Sequence, residues 1–225
     1  MPTHRTSAAF LCSLALLQAL PAMAQLGMPR VLLPAGPTTM PALRGAVRTA
    51  LRPREAPRLE LRPESRVWVD GTSNKNDWTV KATELSGFVH LQVKGDVLEI
   101  TGGGFTVAAR KLVSEHGVIM DRLMQGALKS GTHPSIIYEL VSAAVTPLAQ
   151  GKYAVATQGR VTIAGVTKDV AQTVSAERLP DGRLRFTGSQ PILMNEYGMT
   201  PPTAMFGALR AGNRVVVNFE LVVKP

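Results

Sequence analysis

The chain holds a single cysteine among 225 residues, few aromatics (5 %) and only 16 acids against 25 lysines and arginines. Cys12 stands close to the N-terminus, so the rest of the chain can form no disulfide, no thiolate metal site and no cysteine nucleophile. Its longest apolar run, Ala8 to Leu20, is about 13 residues, too short for a stable helix across a hydrocarbon core of about 30 Å. No G-x-S-x-G elbow occurs. Gly102-Gly103-Gly104 has neither the Lys-Ser/Thr ending of a phosphate loop nor a following helix, since Phe105-Thr106-Val107 continues as strand. His4, His90, His116 and His133 are scattered, without the spacing of a metal site. Paired acids such as Glu115 with Asp121, or Asp169 with Glu177, read as solvated positions. These absences argue against an enzyme and against a required metal or cofactor.

His4 and Arg5, the apolar run and Ala22-Met23-Ala24 have the layout of a secretory signal peptide over residues 1–24, cleaved after Ala24; a retained anchor is the alternative. The expected location is the periplasm, with secretion as second choice. Residues 25–63 carry seven prolines and seven arginines with only Glu55 and Glu60 as acids. Recurrent proline prevents a long helix or central strand, so this stretch reads as an extended basic tether. Its formal charge of +5, against +3 for residues 64–225 and +1 for residues 1–24, holds most of the chain's +9. Within it Leu43, Val47, Ala50 and Leu51 fall at helical spacing beside Arg44, Arg48 and Arg52, the layout of a short amphipathic helix able to rest on anionic lipid. A solvated linker is the plainer reading. Nucleic acid is not an expected partner, because export removes the opportunity and the remainder lacks aromatic-interleaved basic motifs.

From Ser65 the dominant period is two. Val67 and Val69; Tyr153, Val155, Thr157, Val161 and Ile163; and Val215, Val217, Phe219, Leu221 and Val223 alternate with mostly polar or charged neighbours. Further strands are expected over about 77–93, 97–110, 135–146, 167–179 and 183–194, between turn signals such as Lys94-Gly95-Asp96 and Pro180-Asp181-Gly182. About eight strands joined by short turns predict a mainly β protein, a single antiparallel up-and-down barrel over residues 64–225. One helix over 118–129, with an apolar stripe of Ile119, Leu123 and Leu128 and more loosely Met120, Met124 and Ala127, is expected to pack over an open end.

Alternation turns Trp78, Ile136, Tyr138, Tyr153, Val155, Ile163, Phe186, Ile192, Met194 and Phe219 inward. Small residues on the same faces, Ala176, Gly159 and Gly188, suggest an under-filled interior. The Tyr197–Phe206 segment cannot be regular strand through Pro201-Pro202. Its Tyr197, Met199, Met205 and Phe206 either cap the core or help line an opening, a use suited to adaptable methionine. In G71-T-S-N-K-N-D-W78, Gly71 allows a tight bend and Ser73, Asn74 and Asp77 can bond local backbone, with Trp78 as anchor. The sharper alternative sets Ser73, Asn74 and Lys75 against a polar head group.

That segment, followed by V118-IMDRLMQGALK129, H133-PSIIYEL140 with Pro134, Ile136 and Tyr138 in a Pro-x-Ile-x-aromatic pattern, G159-RVTIAGVTKDV170, Y197-GMTPPTAMF206 and R214-VVVNFELVV223, resembles the YceI-like family of small exported lipid-binding barrels. The resemblance implies a lipocalin-like barrel that carries an isoprenoid or quinone-type lipid rather than catalysing a reaction, in the envelope of a Gram-negative bacterium. It also implies that the segment from Tyr197 to Phe206 lies near the ligand. A homodimer is compatible with such barrels. The basic tether is no part of the family domain. The rival expectation is an envelope stress, adhesion or interaction module whose filled barrel works through its surface or its tether.

Overall fold

In the computed structural model the described residues are 56–149 and 151–225. The expected signal peptide, Cys12 and the helical spacing around Leu43–Leu51 lie outside them. The strands are β1 (Arg58–Glu60), β2 (Arg66–Ser73), β3 (Asp77–Ala82), β4 (Leu85–Lys94), β5 (Val97–Ala108), β6 (Leu112–Ser114), β7 (Ser135–Pro147), β8 (Lys152–Ile163), β9 (Val166–Arg178), β10 (Leu184–Leu193), β11 (Thr203–Ala204) and β12 (Leu209–Val223). One helix, α1 (Val118–Ala127), joins β6 to β7.

All ladders are antiparallel, and the sheet order is β1-β4-β5-β7-β8-β9-β10-β12-β2-β3-β6, with β11 on β12. The order becomes a ring because three staves bend at corners: β1 runs on into β2, β3 into β4 and β5 into β6. Backbone bonds bridge the corners, Leu61 N–H to Gly87 O (2.9 Å) and Thr83 N–H to Lys111 O (2.9 Å). The bent staves β1–β2, β3–β4 and β5–β6, with β7, β8, β9, β10 and β12, make the curled up-and-down barrel that the alternation predicts.

Several details depart from the sequence reading. The expected strand over 77–93 breaks at Thr83-Glu84. The composition assigns Arg58–Glu60 to the tether, yet these residues pair with Phe88–His90 of β4. Leu59 and Leu61 pack on the core there; flanking Pro57 and Pro63 conceal so short an alternation. In β7, Leu140 pairs with Gly159 but Ser142 with Gln158. Val141 is thus a bulged residue, and its side chain stands in solvent at 59 % exposure. The bulge moves the inward phase from Ile136, Tyr138 and Leu140 to Ala143 and Val145.

The β9–β10 ladder runs only from Arg178–Leu184 to Ser175–Thr187, so toward the α1 end the two strands part and leave a seam. Pro191 sits in β10 at that seam. It has no N–H to donate, and its carbonyl accepts the Gln190 side-chain amide at 3.2 Å. In an antiparallel strand both groups of a residue point to one side, so proline is tolerated where β10 lacks its neighbour.

The far end of the barrel is closed by Leu91, Leu98, Leu184 and Val223, all buried. Nearby, Arg183 bridges Glu64 and Asp181. Hydrogen bonds from its own backbone for Glu64, and from the Arg183 backbone for Asp181, then the Arg183 guanidinium, hold both carboxyls below their ordinary values of 4.5 and 3.8. A depressed carboxyl pKa stabilises the fold above the unfolded value, and that contribution goes as pH falls through the folded one. Urea unfolding should therefore show Arg183→Ala less stable than the parent at pH 7, with the difference shrinking below about pH 4. Both carboxyls are exposed, so the difference is small.

Candidate functional site

Inside the barrel are two adjoining chambers. The upper one, about 160 Å³, is lined by Val67, Trp78, Ile136, Ile163, Val217 and their neighbours on the staves, and is roofed by Met120, Met124, Ala127 and Leu128 from the α1 region. The lower one, about 90 Å³, is lined by Phe88, Val89, Leu140, Val155 and Phe186 among others. Phe105, Tyr138, Gln172 and Phe219 face both and form a waist. There the Phe105 and Tyr138 rings stack at 5.2 Å and Phe105 meets Phe219 at 6.2 Å.

The waist depends on glycines one strand away. A Cβ on Gly159 would come within 2.6 Å of the Tyr138 ring, and one on Gly188 within 2.4 Å of the Phe219 ring. Nearer the α1 end, Trp78 lies flat on Gly71 in the same manner, its Nε1 donating to Thr72 O at 3.0 Å. These glycines seat rings against the barrel wall, so the small side chains on the inner face do not themselves make the empty space. The chambers remain because flat-lying rings leave the axis open.

Burial raises the pKa of the Tyr138 hydroxyl, opposed in part by a hydrogen bond with Thr157. It remains a neutral hydroxyl at physiological pH. The other polar group of the waist is less well served, since Gln172 Oε1 is buried without a hydrogen-bond partner among the described residues. Its backbone oxygen already accepts from Thr157 Oγ1 at 3.0 Å, an arrangement independent of the side chain. Gln172→Met should raise stability by about 1 kcal/mol, read as a higher urea midpoint, because an unsatisfied buried amide is removed at similar volume. A lower midpoint would show that the amide is paired.

Between α1 and the loop before β12 lies a vestibule of about 380 Å³. It shares Trp78, His116, Met120, Pro202 and Ala211 with the upper chamber and so forms its mouth. The loop is pinned by Asn74, whose Nδ2 donates to Ala208 O at 2.9 Å and whose Oδ1 accepts from Arg210 N–H at 2.9 Å. Ser73 Oγ accepts from the backbone N–H of Lys75 and Asn76. The G71–W78 segment is therefore a turn and clamp beside the mouth, with Ser73 and Asn74 bonded to backbone.

Most expected cavity residues do face the interior. Trp78, Ile136, Ile163, Ile192, Met194 and Met199 line the upper chamber, Val155 and Phe186 the lower, and Tyr138 and Phe219 both. The other four lie outside the chamber linings, two of them as the alternatives for the Tyr197–Phe206 segment allow: Tyr197 in the core and Met205 at the opening. Tyr153 (3 % exposed) is packed within the core, outside the chamber linings. Tyr197 (2 %) is buried too, in a 3₁₀ turn over Met194–Tyr197 that takes it out of the strand's alternation. Met205 lines the vestibule rather than a chamber, and Phe206 points outward. On α1 the stripe also shifts: Met120 and Met124 face inward, while Ile119 is 75 % exposed and Leu123 faces the vestibule. Phe105 and Gln172 were legible as inward by their alternation with Val107 and with Val170 and Val174. A glycine run preceding the one, and the polar amide of the other, obscured them.

The profile of the YceI-like domain matches residues 64–223. The chain belongs to the YceI-like family. Similar solved structures include BcnA of Burkholderia cenocepacia, with 16 % identity, a TM-score of 0.55, and 70 % of this chain and 95 % of that one covered. A polyisoprenoid-binding domain from Saccharophagus degradans, implicated in plant cell wall breakdown, has 14 % identity and a TM-score of 0.56, covering 74 % and 97 %. The YceI protein of Campylobacter jejuni has 16 % identity and a TM-score of 0.50, covering 65 % and 84 %. At these identities the likeness establishes the fold. Comparison with curated protein sequences finds no significant match. Among YceI-like barrels, then, this chain has an apolar two-chamber interior with a mouth beside α1.

Proposed function

We propose that this YceI-like protein is an exported, non-catalytic carrier that holds one long apolar molecule, a polyisoprenoid or quinone-type lipid, along the barrel axis. The observation that carries this reading is the apolar interior, in which the vestibule, the upper chamber and the lower chamber follow one another and share lining residues. From Ile163 to Val155 along β8 is eight residues, about 26 Å of strand. At a tilt near 40° this gives about 20 Å of axial path. An extended lipid tail suits such a path better than a compact metabolite does. The polyisoprenoid binding attributed to the Saccharophagus domain supports the same ligand class. The layout of residues 1–24 supports export and a periplasmic location.

Apolar contact supplies the affinity. Each CH₂ withdrawn from water contributes about 0.8 kcal/mol, so one five-carbon isoprene unit offers roughly 3–4 kcal/mol before ordering costs. Chain width and length then select the ligand, and no charged contact is needed.

Trp78 lines the upper chamber and provides the test. In the Trp68→Phe variant it is the sole tryptophan, and quinones with isoprenoid tails should quench it saturably. Quenching should strengthen with tail length until the path is filled. Linear quenching, equal to that of free tryptophan at every tail length, would contradict the carrier.

A further inference from the structure

The mouth carries side chains that neither the chambers nor the core uses. Val118 and Ile119 at the start of α1 are 65 % and 75 % exposed, and across the vestibule Met205 is 76 % exposed and Phe206 fully so. Elsewhere the exposed large apolar side chains are scattered singly over strands and turns, as at Val97 and Val141. Here they meet from two elements at the rim of an opening.

The backbone beneath Phe206 is unusual. Met205 and Phe206 both have left-handed φ, 51° and 54°, and Gly207 follows at 87°. Two successive bulky residues in that region are uncommon, and such strain persists where the surroundings fix it. They do so here: Arg210 Nε donates to Gly207 O at 2.8 Å, and Asn74 holds Ala208. Packing does not explain this conformation, because it directs Phe206 out of the protein rather than into it.

Charge surrounds this rim. Lys75 and Arg210 stand at the base of the loop, and Arg122 follows Val118 and Ile119 by four and three residues on the same helical face. None of the three has an ion-pair partner among the described residues. Of the nearby acids, Glu115 is paired with Lys81, Asp121 accepts from Ser114 N–H at 2.7 Å, and Asp77 lines the vestibule. An apolar tip flanked by cations without ion-pair partners complements a leaflet of anionic phospholipid, with Phe206 and Met205 below the head groups and the cations at phosphate level.

We propose that the barrel mouth docks on an anionic membrane surface by inserting Ile119, Met205 and Phe206. The chain would then rest with its vestibule facing the acyl region. This docking stands on the rim's geometry and does not depend on what the barrel holds.

The full-length chain with Cys12→Ser accepts one thiol-linked environment-sensitive fluorophore at Phe206→Cys, or at Val97→Cys at the start of β5, away from the mouth. Vesicles of phosphatidylcholine with one-fifth phosphatidylglycerol should shift emission at 206 to the blue and raise it severalfold, leaving 97 unchanged. Pure phosphatidylcholine should give a weaker response at 206. Ile119→Asp with Met205→Asp should weaken vesicle partition at least about tenfold without altering circular dichroism. An inert label at 206 on vesicle-bound protein, equal responses at 206 and 97, or no vesicle binding would each overturn the proposal. Binding of a protein to the rim in place of lipid would appear as the first or last of these.

Discussion

Val217→Trp should weaken lipid binding by roughly a hundredfold while leaving the barrel folded. Val217 lies on β12 between Val69 of β2 and Gln190 of β10, and its side chain faces the upper chamber. An indole there occupies much of a space of about 160 Å³. Excluding three or four methylenes at about 0.8 kcal/mol each corresponds to a loss of roughly a hundredfold in affinity. The added ring fills existing space, so thermal unfolding should stay near that of the parent, unlike a substitution forced into a filled core. Titration with an isoprenoid quinone, followed by Trp68 and Trp78-independent separation of bound and free ligand, measures the effect. Unchanged affinity in a folded variant would place the ligand elsewhere.

Gly71→Ala should destabilise the fold by about 1–3 kcal/mol, although alanine is ordinarily the better residue inside a strand. Gly71 of β2 pairs with Trp78 of β3, and a Cβ there would fall 2.1 Å from the ring carbon Cζ2. The indole must swing off the wall, breaking its bond to Thr72 O and entering the chamber or the vestibule. Trp78→Leu alone also costs stability through lost burial. In the double variant the clash is absent, so the two costs should be strongly non-additive in a urea-unfolding cycle. Additive costs would mean that Gly71 matters for its backbone alone.

Much of this architecture is written in period two. The inward phase of β8, β9, β10 and β12 follows directly from Val155, Val174, Phe186 and Phe219, because each strand faces a core on one side and water on the other. The bulge at Val141 was not legible, since in Leu140-Val141 two adjacent apolar residues leave no compositional mark of which one faces inward. Nor were the corners that divide one stave into β3 and β4, or β5 and β6. Pro191 did carry information: a proline inside an otherwise regular strand marks an unpaired edge, here the β9–β10 seam.

The site was less legible than the fold. Alternation tells which way Tyr153 points, but not that packing seals it off from the chambers. At Tyr197 a 3₁₀ turn ends the alternation altogether. Gly159 and Gly188 were readable as small inner residues, whereas their partners Tyr138 and Phe219 were readable as large ones. Only the register joins each pair and shows that rings fill the space above glycine. Helical periodicity on α1 tolerates two neighbouring stripes; the barrel rim selects Met120 and Met124 and leaves Ile119 outside.

Whether the barrel carries a lipid is decided by native mass spectrometry of the protein purified from its source organism, with organic extraction of the same sample. One lipid per chain is expected, released on denaturation, with an isoprenoid tail in the extract and far less of that mass on Val217→Trp. A protein that is lipid-free as isolated and stays so after incubation with quinones and polyprenyl phosphates would contradict it.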